Sequence, residues 1–332
     1  MFVPLGLLQG VVGQFFAALS TTLAAAVLLS LAYALLFIPG VAGRVLRAHD
    51  RPHADLGWLS RGYRGVLTWS LKRPALVVGF TLAFAALGVV LFSRLETGFL
   101  PEMDEGGYIV DYWTPEGTSL PETDRMLKRV ERGLGSGIAD VKTALAAETW
   151  PIGYSWRLGG QYESQQSSFR SMLLVLSVAV LLVFGVLVAQ FRRFVPSLII
   201  LSAAPLSLVG AFGLLIIAGT PLNVSSMMGL ILLIGLIVKN GIILVDYAQI
   251  VTERGAETAD ALVEAGTVRL RPILMTTLCT LFGLLPLALG LGPGAEMQKP
   301  LAIAVIGGLS VSTVITLIFV PTALSIVKAK RG

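Results

Sequence analysis

The chain has 332 residues, 55% hydrophobic and only 14% charged, with a mean hydropathy of +0.81. Soluble domains carry about 25% charged residues, so this composition excludes an ordinary soluble domain and points to an integral membrane protein. The net charge of +5 needs no nucleic acid to explain it, because the basic residues cluster at the ends of apolar runs. Those runs are continuous and about 20 residues long, so helices are expected to do the spanning; barrel strands would be short and alternating. One cysteine, Cys279, and two histidines, His49 and His53, give no disulfide framework, no CxxC and no His metal site.

In chain order, residues 1–13 open directly in apolar sequence without a basic n-region or a small-residue cleavage site. They read as the tail of a preceding membrane helix rather than as a signal peptide. Residues 14–39 read as a membrane helix, with the apolar run at 15–38. The linker 40–73 holds Arg44, Arg47, Arg51, Arg61, Arg64, Lys72 and Arg73 against Asp50 and Asp55, which marks it as cytoplasmic. A second membrane helix is expected at 74–93.

The soluble segment 94–170 reads as α+β. YIVDYW (108–113) is strand-like, and Pro115, Glu116 and Gly117 form a turn. Ser119 and Glu122 make a capping box for a helix with Met126, Leu127, Val130 and Leu134 on one face. A short helix with Ile138, Val141 and Leu145 precedes a strand with Tyr154, Trp156 and Leu158. Two strands rarely make a stable sheet alone, so the segment either borrows strands from another chain or has lost some near 132–137.

Residues 171–332 read as a five-helix membrane domain, with apolar runs at 172–189, 196–217, 226–245, 273–290 and 301–327. An amphipathic segment at 252–271 separates the third and fourth runs, and Pro272 suits the first turn of the helix after it. Alternation from the basic linker places Arg192, Arg193, the 252–271 segment and the C-terminal Lys328, Lys330 and Arg331 in the cytoplasm. Residues 96–170 and 290–299 then fall outside. Transporters built from repeats show matching halves, whereas here one complete helix, a stub and one further helix precede the soluble segment and five helices come after it.

The residue that breaks the pattern is Lys239, alone with Asn240 in an otherwise apolar stretch, 227–245. A Lys at the centre of a membrane helix costs about 2.5–3.5 kcal/mol on insertion scales, so it is retained where it meets a partner or a water-filled path. Asp246 lies on the same helical face but about 10.5 Å further along the axis, too far for a salt bridge, and no acid sits inside any other span. A cation with no acid cannot cycle a proton by itself. A structural Lys paired within a bundle is the plain alternative. On the next helix, Arg269 and Arg271 suit the membrane surface, while Thr276 and Thr277 either bond back to their own helix or reach across to another. Gly229, Gly235 and Gly241 allow close helix approach. The run QYESQQ (161–166) is read as the solvated start of a helix, and Met103, Asp104 and Glu105 as an external loop, since no catalytic constellation or metal-ligand set accompanies them. The chain is therefore not expected to be an enzyme.

These motifs resemble the inner-membrane permease of the resistance-nodulation-division (RND) efflux family. GLIVKNGIILVDYAQ and VRLRPILMTTL resemble that family's tenth and eleventh helices. TGFLPEMDEGGYIVDYWTPEGTSLPETDR resembles the stretch after its seventh helix, and GGQYESQQSSF the stretch before its eighth. MFVPLGLLQGVVGQFF and the apolar run after it resemble the end of its fifth helix and the sixth. The resemblance implies a polytopic α-helical membrane protein of about seven spanning helices with a small, incomplete α+β periplasmic porter remnant. It also implies a bacterial inner-membrane location, a trimer, a periplasmic adaptor and an outer-membrane channel as partners, and a proton gradient in place of any bound cofactor. Carried over position by position, Lys239 is the lysine that faces carboxylates of the fourth helix, Arg269 the arginine at the cytoplasmic start of the eleventh helix, and Thr276 its intramembrane threonine. The first four helices, and with them the acid, have no counterpart in this chain, and a deletion joined near Arg132 accounts for the two-stranded soluble segment. Proton-driven export of drugs and other amphiphiles is the leading reading, with heavy-metal cations as the alternative cargo. A non-transporting membrane fragment that only inserts, or associates with full-length subunits, is the other.

Overall fold

The structure is a computed structural model describing residues 10–45, 57–98, 161–292 and 294–329. They form eight α-helices: α1 (Gly10–Val45), α2 (Trp58–Lys72), α3 (Pro74–Arg94), α4 (Gln161–Phe191), α5 (Phe194–Ile217), α6 (Val224–Glu253), α7 (Thr258–Ala288) and α8 (Ala295–Ala329). The chain divides into two compact units, Met1–Pro101 with Gln165–Gly332, and Glu102–Ser164. The α+β reading of the soluble segment, its junction near Arg132 and the loop at 103–105 lie outside the described residues. The polar run QYESQQ opens α4.

Seven of these helices are long and apolar enough to cross a membrane, over Ser20–Val41, Pro74–Arg94, Phe169–Phe191, Phe194–Ile217, Val224–Glu253, Thr258–Ala288 and Ala295–Val327. The described residues thus form the polytopic helical architecture that the apolar runs call for. Similar hydropathy conceals different surroundings. Helix α6 fills the centre, with Met228, Ile231, Leu233, Ile237 and Leu244 fully buried. Helix α1 leaves Leu29, Leu35 and Leu36 uncovered.

Close packing at the centre depends on absent side chains. Gly210 of α5 and Gly307 of α8 face each other, and the carbonyl of each occupies the space that a Cβ on the other would need. Backbones approach this closely only where both residues are small, the usual device between membrane helices. Gly229 serves α6 likewise against Leu301 of α8, and Gly241 against Ile200 of α5.

The far end of α3 is pinned to the start of α6. Leu222 N–H donates to the Glu96 carbonyl at 2.7 Å, and Gly98 N–H donates to the Leu222 carbonyl at 3.0 Å. Asn223 then caps α6 reciprocally with Ser226: its Oδ1 accepts from Ser226 N–H at 2.9 Å, and its own N–H donates to Ser226 Oγ at 2.8 Å. This pair satisfies two N–H groups that the helix start leaves without partners.

Two features depart from the sequence expectations. The linker 40–73 contains a full helix, α2, between its basic residues. And α7 passes through Pro272 rather than beginning there. An interior Pro removes one helix hydrogen bond and costs about 3 kcal/mol in a water-exposed helix. Here the stretch before it is held in helical form by packing, with Ala261, Leu262, Ala265 and Leu270 buried against the bundle.

Helix α2 docks on α7 and α8, and Tyr63 makes the contact that depends on a proline. Pro321 in α8 has no N–H, so the Leu317 carbonyl four residues earlier loses its helical donor. The Tyr63 hydroxyl donates to that carbonyl at 2.8 Å. Gly266 of α7 makes room, since a Cβ there would run into the Tyr63 hydroxyl. Burial raises the Tyr63 pKa well above that of an exposed phenol.

Candidate functional site

Lys239 lies midway along α6, and its helix neighbours Val238 and Asn240 are both 5% exposed. Lys239 itself is exposed. It therefore points out of the packed bundle, not into it. Among the described residues no hydrogen bond or ion pair reaches its ammonium. Asp246, about 10.5 Å along the helix, is half-buried and does not meet it.

Arg269 of α7 is half-buried and stacks on α6. Its guanidinium carbon lies 4.9 Å from the centroid of the Tyr247 ring, and its buried Nε has no hydrogen-bond partner. A planar, weakly hydrated guanidinium gains from an aromatic face when water is scarce. Arg269 thus leans on Tyr247 rather than simply facing the membrane surface. Tyr247 was not singled out by the sequence, since it is one aromatic ring in an apolar run, with no local sign of its partner 22 residues on.

The two threonines divide the possibilities between them. Thr276 is exposed, and its hydroxyl stays on its own helix, within 3.1 Å of the Pro272 carbonyl and 3.0 Å of the Ile273 carbonyl. Thr277 is buried and pairs with Thr313 of α8 at 3.0 Å, while Thr313 donates to the Leu309 carbonyl at 2.9 Å. The cross-helix hydrogen bond therefore belongs to Thr277.

Depth brings the site residues into relation. Helices α6 and α7 are consecutive, joined by 254–257, and run antiparallel. Helix α6 runs with α8, Gly229 meeting Leu301 and Leu233 meeting Gly308, while α7 runs against α8, Gly266 and Leu317 meeting at Tyr63 and Thr277 meeting Thr313. The Arg269–Tyr247 contact fixes their relative height. From that contact, Lys239 lies about 12 Å back along α6 and Thr276 about 10.5 Å forward along α7, counted at 1.5 Å per residue. The ammonium and the threonine are thus at nearly the same level on neighbouring helices. No contact joins Lys239, Arg269 and Thr276 to one another among the described residues. No group of three or more His, Cys, Asp or Glu side chains able to hold a metal ion occurs among them either. A cation exposed at mid-span is retained in a bilayer where it meets a partner or a water-filled path.

Known proteins resemble this chain in sequence and in fold. The sequence profile of the AcrB/AcrD/AcrF family matches residues 1–137 and 129–328, two stretches that overlap over 129–137. The chain is 36% identical over 213 residues to multidrug resistance protein MdtC of Pectobacterium carotovorum, covering 64% of this chain and 19% of that protein. It is 34% identical over 191 residues to cobalt-zinc-cadmium resistance protein CzcA of Cupriavidus metallidurans, covering 57% of this chain and 18% of that one. A crystal structure of a heavy metal efflux pump superimposes with a TM-score of 0.51 at 32% identity, over 58% of this chain and 19% of the pump. The chain spans about a fifth of the length of these relatives. With seven helices among the described residues long and apolar enough to cross a membrane, and a family match over most of its length, the chain belongs to the AcrB/AcrD/AcrF family, the RND efflux permeases.

Proposed function

We propose that this chain supplies the cationic side of a proton-coupled export machine in the bacterial inner membrane, with small amphiphilic molecules as cargo. The observation that carries this reading is Lys239: an exposed ammonium at mid-span, level with Thr276, with no acid to meet it among the described residues. A carboxylate from a helix outside the described bundle would meet Lys239 when ionised and release it when protonated. That alternation couples proton passage to a conformational change. Arg269, held on Tyr247 near one membrane face, and Thr276 beside Lys239 would line the proton's route. Arg192 and Arg193 after α4, and Lys328, Lys330 and Arg331 at the end of the sequence, support a cytoplasmic C-terminus. A homotrimer working with a periplasmic adaptor and an outer-membrane channel is the assembly in which such a permease would operate.

The relatives' names include both multidrug and cobalt-zinc-cadmium resistance, at nearly equal identity. Amphiphiles are preferred here because the Lys239–Asn240 pair resembles members of the family that export hydrophobic and amphiphilic compounds.

The test is efflux of a fluorescent amphiphile from cells lacking their own pumps. The chain is expressed with a separately encoded polypeptide that supplies the family's first four helices and their acid. Export should collapse on adding a protonophore and on Lys239→Ala. Export by Lys239→Ala equal to that of the unaltered chain sinks the proposal. No export in any combination leaves the non-transporting fragment as the better reading.

A further inference from the structure

Helix α2 presents three distinct stripes. Ser60, Tyr63, Leu67 and Ser70 turn toward the bundle, and Leu67 and Ser70 are fully buried. Trp58, Val66 and Trp69 form an uncovered apolar stripe, 78, 48 and 51% exposed. Along the flank beside it, Arg61, Arg64, Thr68 and Lys72 line an open groove of about 470 Å³. No acid occurs anywhere in α2, and none lines the groove among the described residues. The Arg61 Nε–H donates to the Gly57 carbonyl at 3.2 Å, which draws the Arg61 side chain back toward the start of the helix. The guanidinium of Arg73, at the end of the helix, lies 6.0 Å from the Trp69 ring centroid.

The position of α2 fits the charge pattern. Arg73 joins it directly to the spanning helix α3. Its contacts on α8 fall in the second half of that helix, through Tyr63 to Leu317 and through Ser70 to Thr322. Helix α2 therefore lies at the end of the bundle where α3 begins and α8 finishes, which is where a bilayer surface would meet it. An apolar aromatic stripe beside a cationic one suits a helix seated in the headgroup region.

We propose that the Arg61–Arg64–Lys72 groove binds the phosphate of an anionic phospholipid, with Trp58, Val66 and Trp69 set into the adjoining acyl boundary. A free phosphate would use the cations but has no use for the apolar stripe. The inference depends on α2 alone and stands independently of proton coupling at Lys239.

The full chain, purified in detergent at low ionic strength, is titrated with phosphatidylglycerol or with zwitterionic phosphatidylcholine, and bound lipid is counted by native mass spectrometry. Each cation near an anionic headgroup contributes roughly fivefold in affinity. Arg61→Gln/Arg64→Gln/Lys72→Gln should therefore lose on the order of a hundredfold for phosphatidylglycerol, with phosphatidylcholine unaffected. Arg192→Gln/Arg193→Gln, at a turn elsewhere, should keep the wild-type preference. If the triple variant does not fold, the three single variants carry the same comparison at about fivefold each. The proposal is overturned if the Gln variants bind phosphatidylglycerol as the wild type does, or if the wild type shows no preference between the lipids. It is also overturned if excess inorganic phosphate displaces phosphatidylglycerol completely, which would mark a free-ion site.

Discussion

Tyr63→Phe tests whether a side chain on one helix repairs the backbone of another. The Leu317 carbonyl has no helical donor, because residue 321 is proline, and the Tyr63 hydroxyl supplies the replacement at 2.8 Å. Leu317 is 5% exposed, so water cannot substitute freely. Removing the hydroxyl leaves a buried acceptor unpaired, which costs about 1–3 kcal/mol. Pro321→Ala restores an N–H at position 321, and in that background the carbonyl no longer depends on Tyr63. The same Tyr63→Phe change should then cost about 0.5 kcal/mol or less, giving a coupling of about 1–2 kcal/mol in a double-mutant cycle. Equilibrium unfolding of the detergent-solubilised chain reads all four proteins. Equal costs of Tyr63→Phe in the two backgrounds would refute the assignment, because the hydroxyl would then be stabilising something other than the carbonyl freed by Pro321.

The same geometry sets three further outcomes. Burial raises the Tyr63 pKa above the ordinary phenol value of about 10, so the folded chain holds this proton where the unfolded chain releases it. The contribution is complete below about pH 10 and is lost as pH rises beyond it; Tyr63→Phe should show a shallower alkaline loss of stability than the wild type, and equal slopes would contradict this. Gly307→Val places a branched side chain against the Gly210 carbonyl and the Leu214 Cβ, and should cost about 1–3 kcal/mol or more. Gly79→Ala, with nothing within 4 Å of the added Cβ, should be neutral or gain up to about 1 kcal/mol by helix propensity. Thermal or denaturant unfolding of the two glycine variants reads the difference, and equal costs would contradict the close contact at Gly307. Thr277→Val should lose about 0.6–1 kcal/mol with its hydrogen bond to Thr313, whereas Thr276→Val gives up only bonds to its own helix and should change unfolding little; the reverse ranking would show the two roles to be exchanged.

The site was legible in unequal parts. Lys239 stands out in any reading, because a charge inside an apolar run is costly wherever the helix faces. Its outward orientation was not legible. A spanning helix is apolar on every side, since lipid and neighbouring helices accept the same side chains, and no polar face marks the exterior. For the same reason Thr276 and Thr277 could not be told apart from sequence. They differ by one residue, a rotation of about 100°, and only the placement of α8 sends one to Thr313 and leaves the other on its own helix.

The sequence by itself determined the seven long apolar runs, the family and the isolated position of Lys239 within one of them, because hydropathy and insertion cost depend on neighbouring residues along the chain. Tertiary structure alone decided that α7 continues through Pro272, that Arg269 rests on Tyr247 and that Tyr63 serves a carbonyl freed by Pro321. Each of these joins groups on separate helices. The last pair lies 254 residues apart in sequence, from Tyr63 to Leu317, and such partners meet only once the close contact of glycines such as Gly210 and Gly307 has set how near the helices lie.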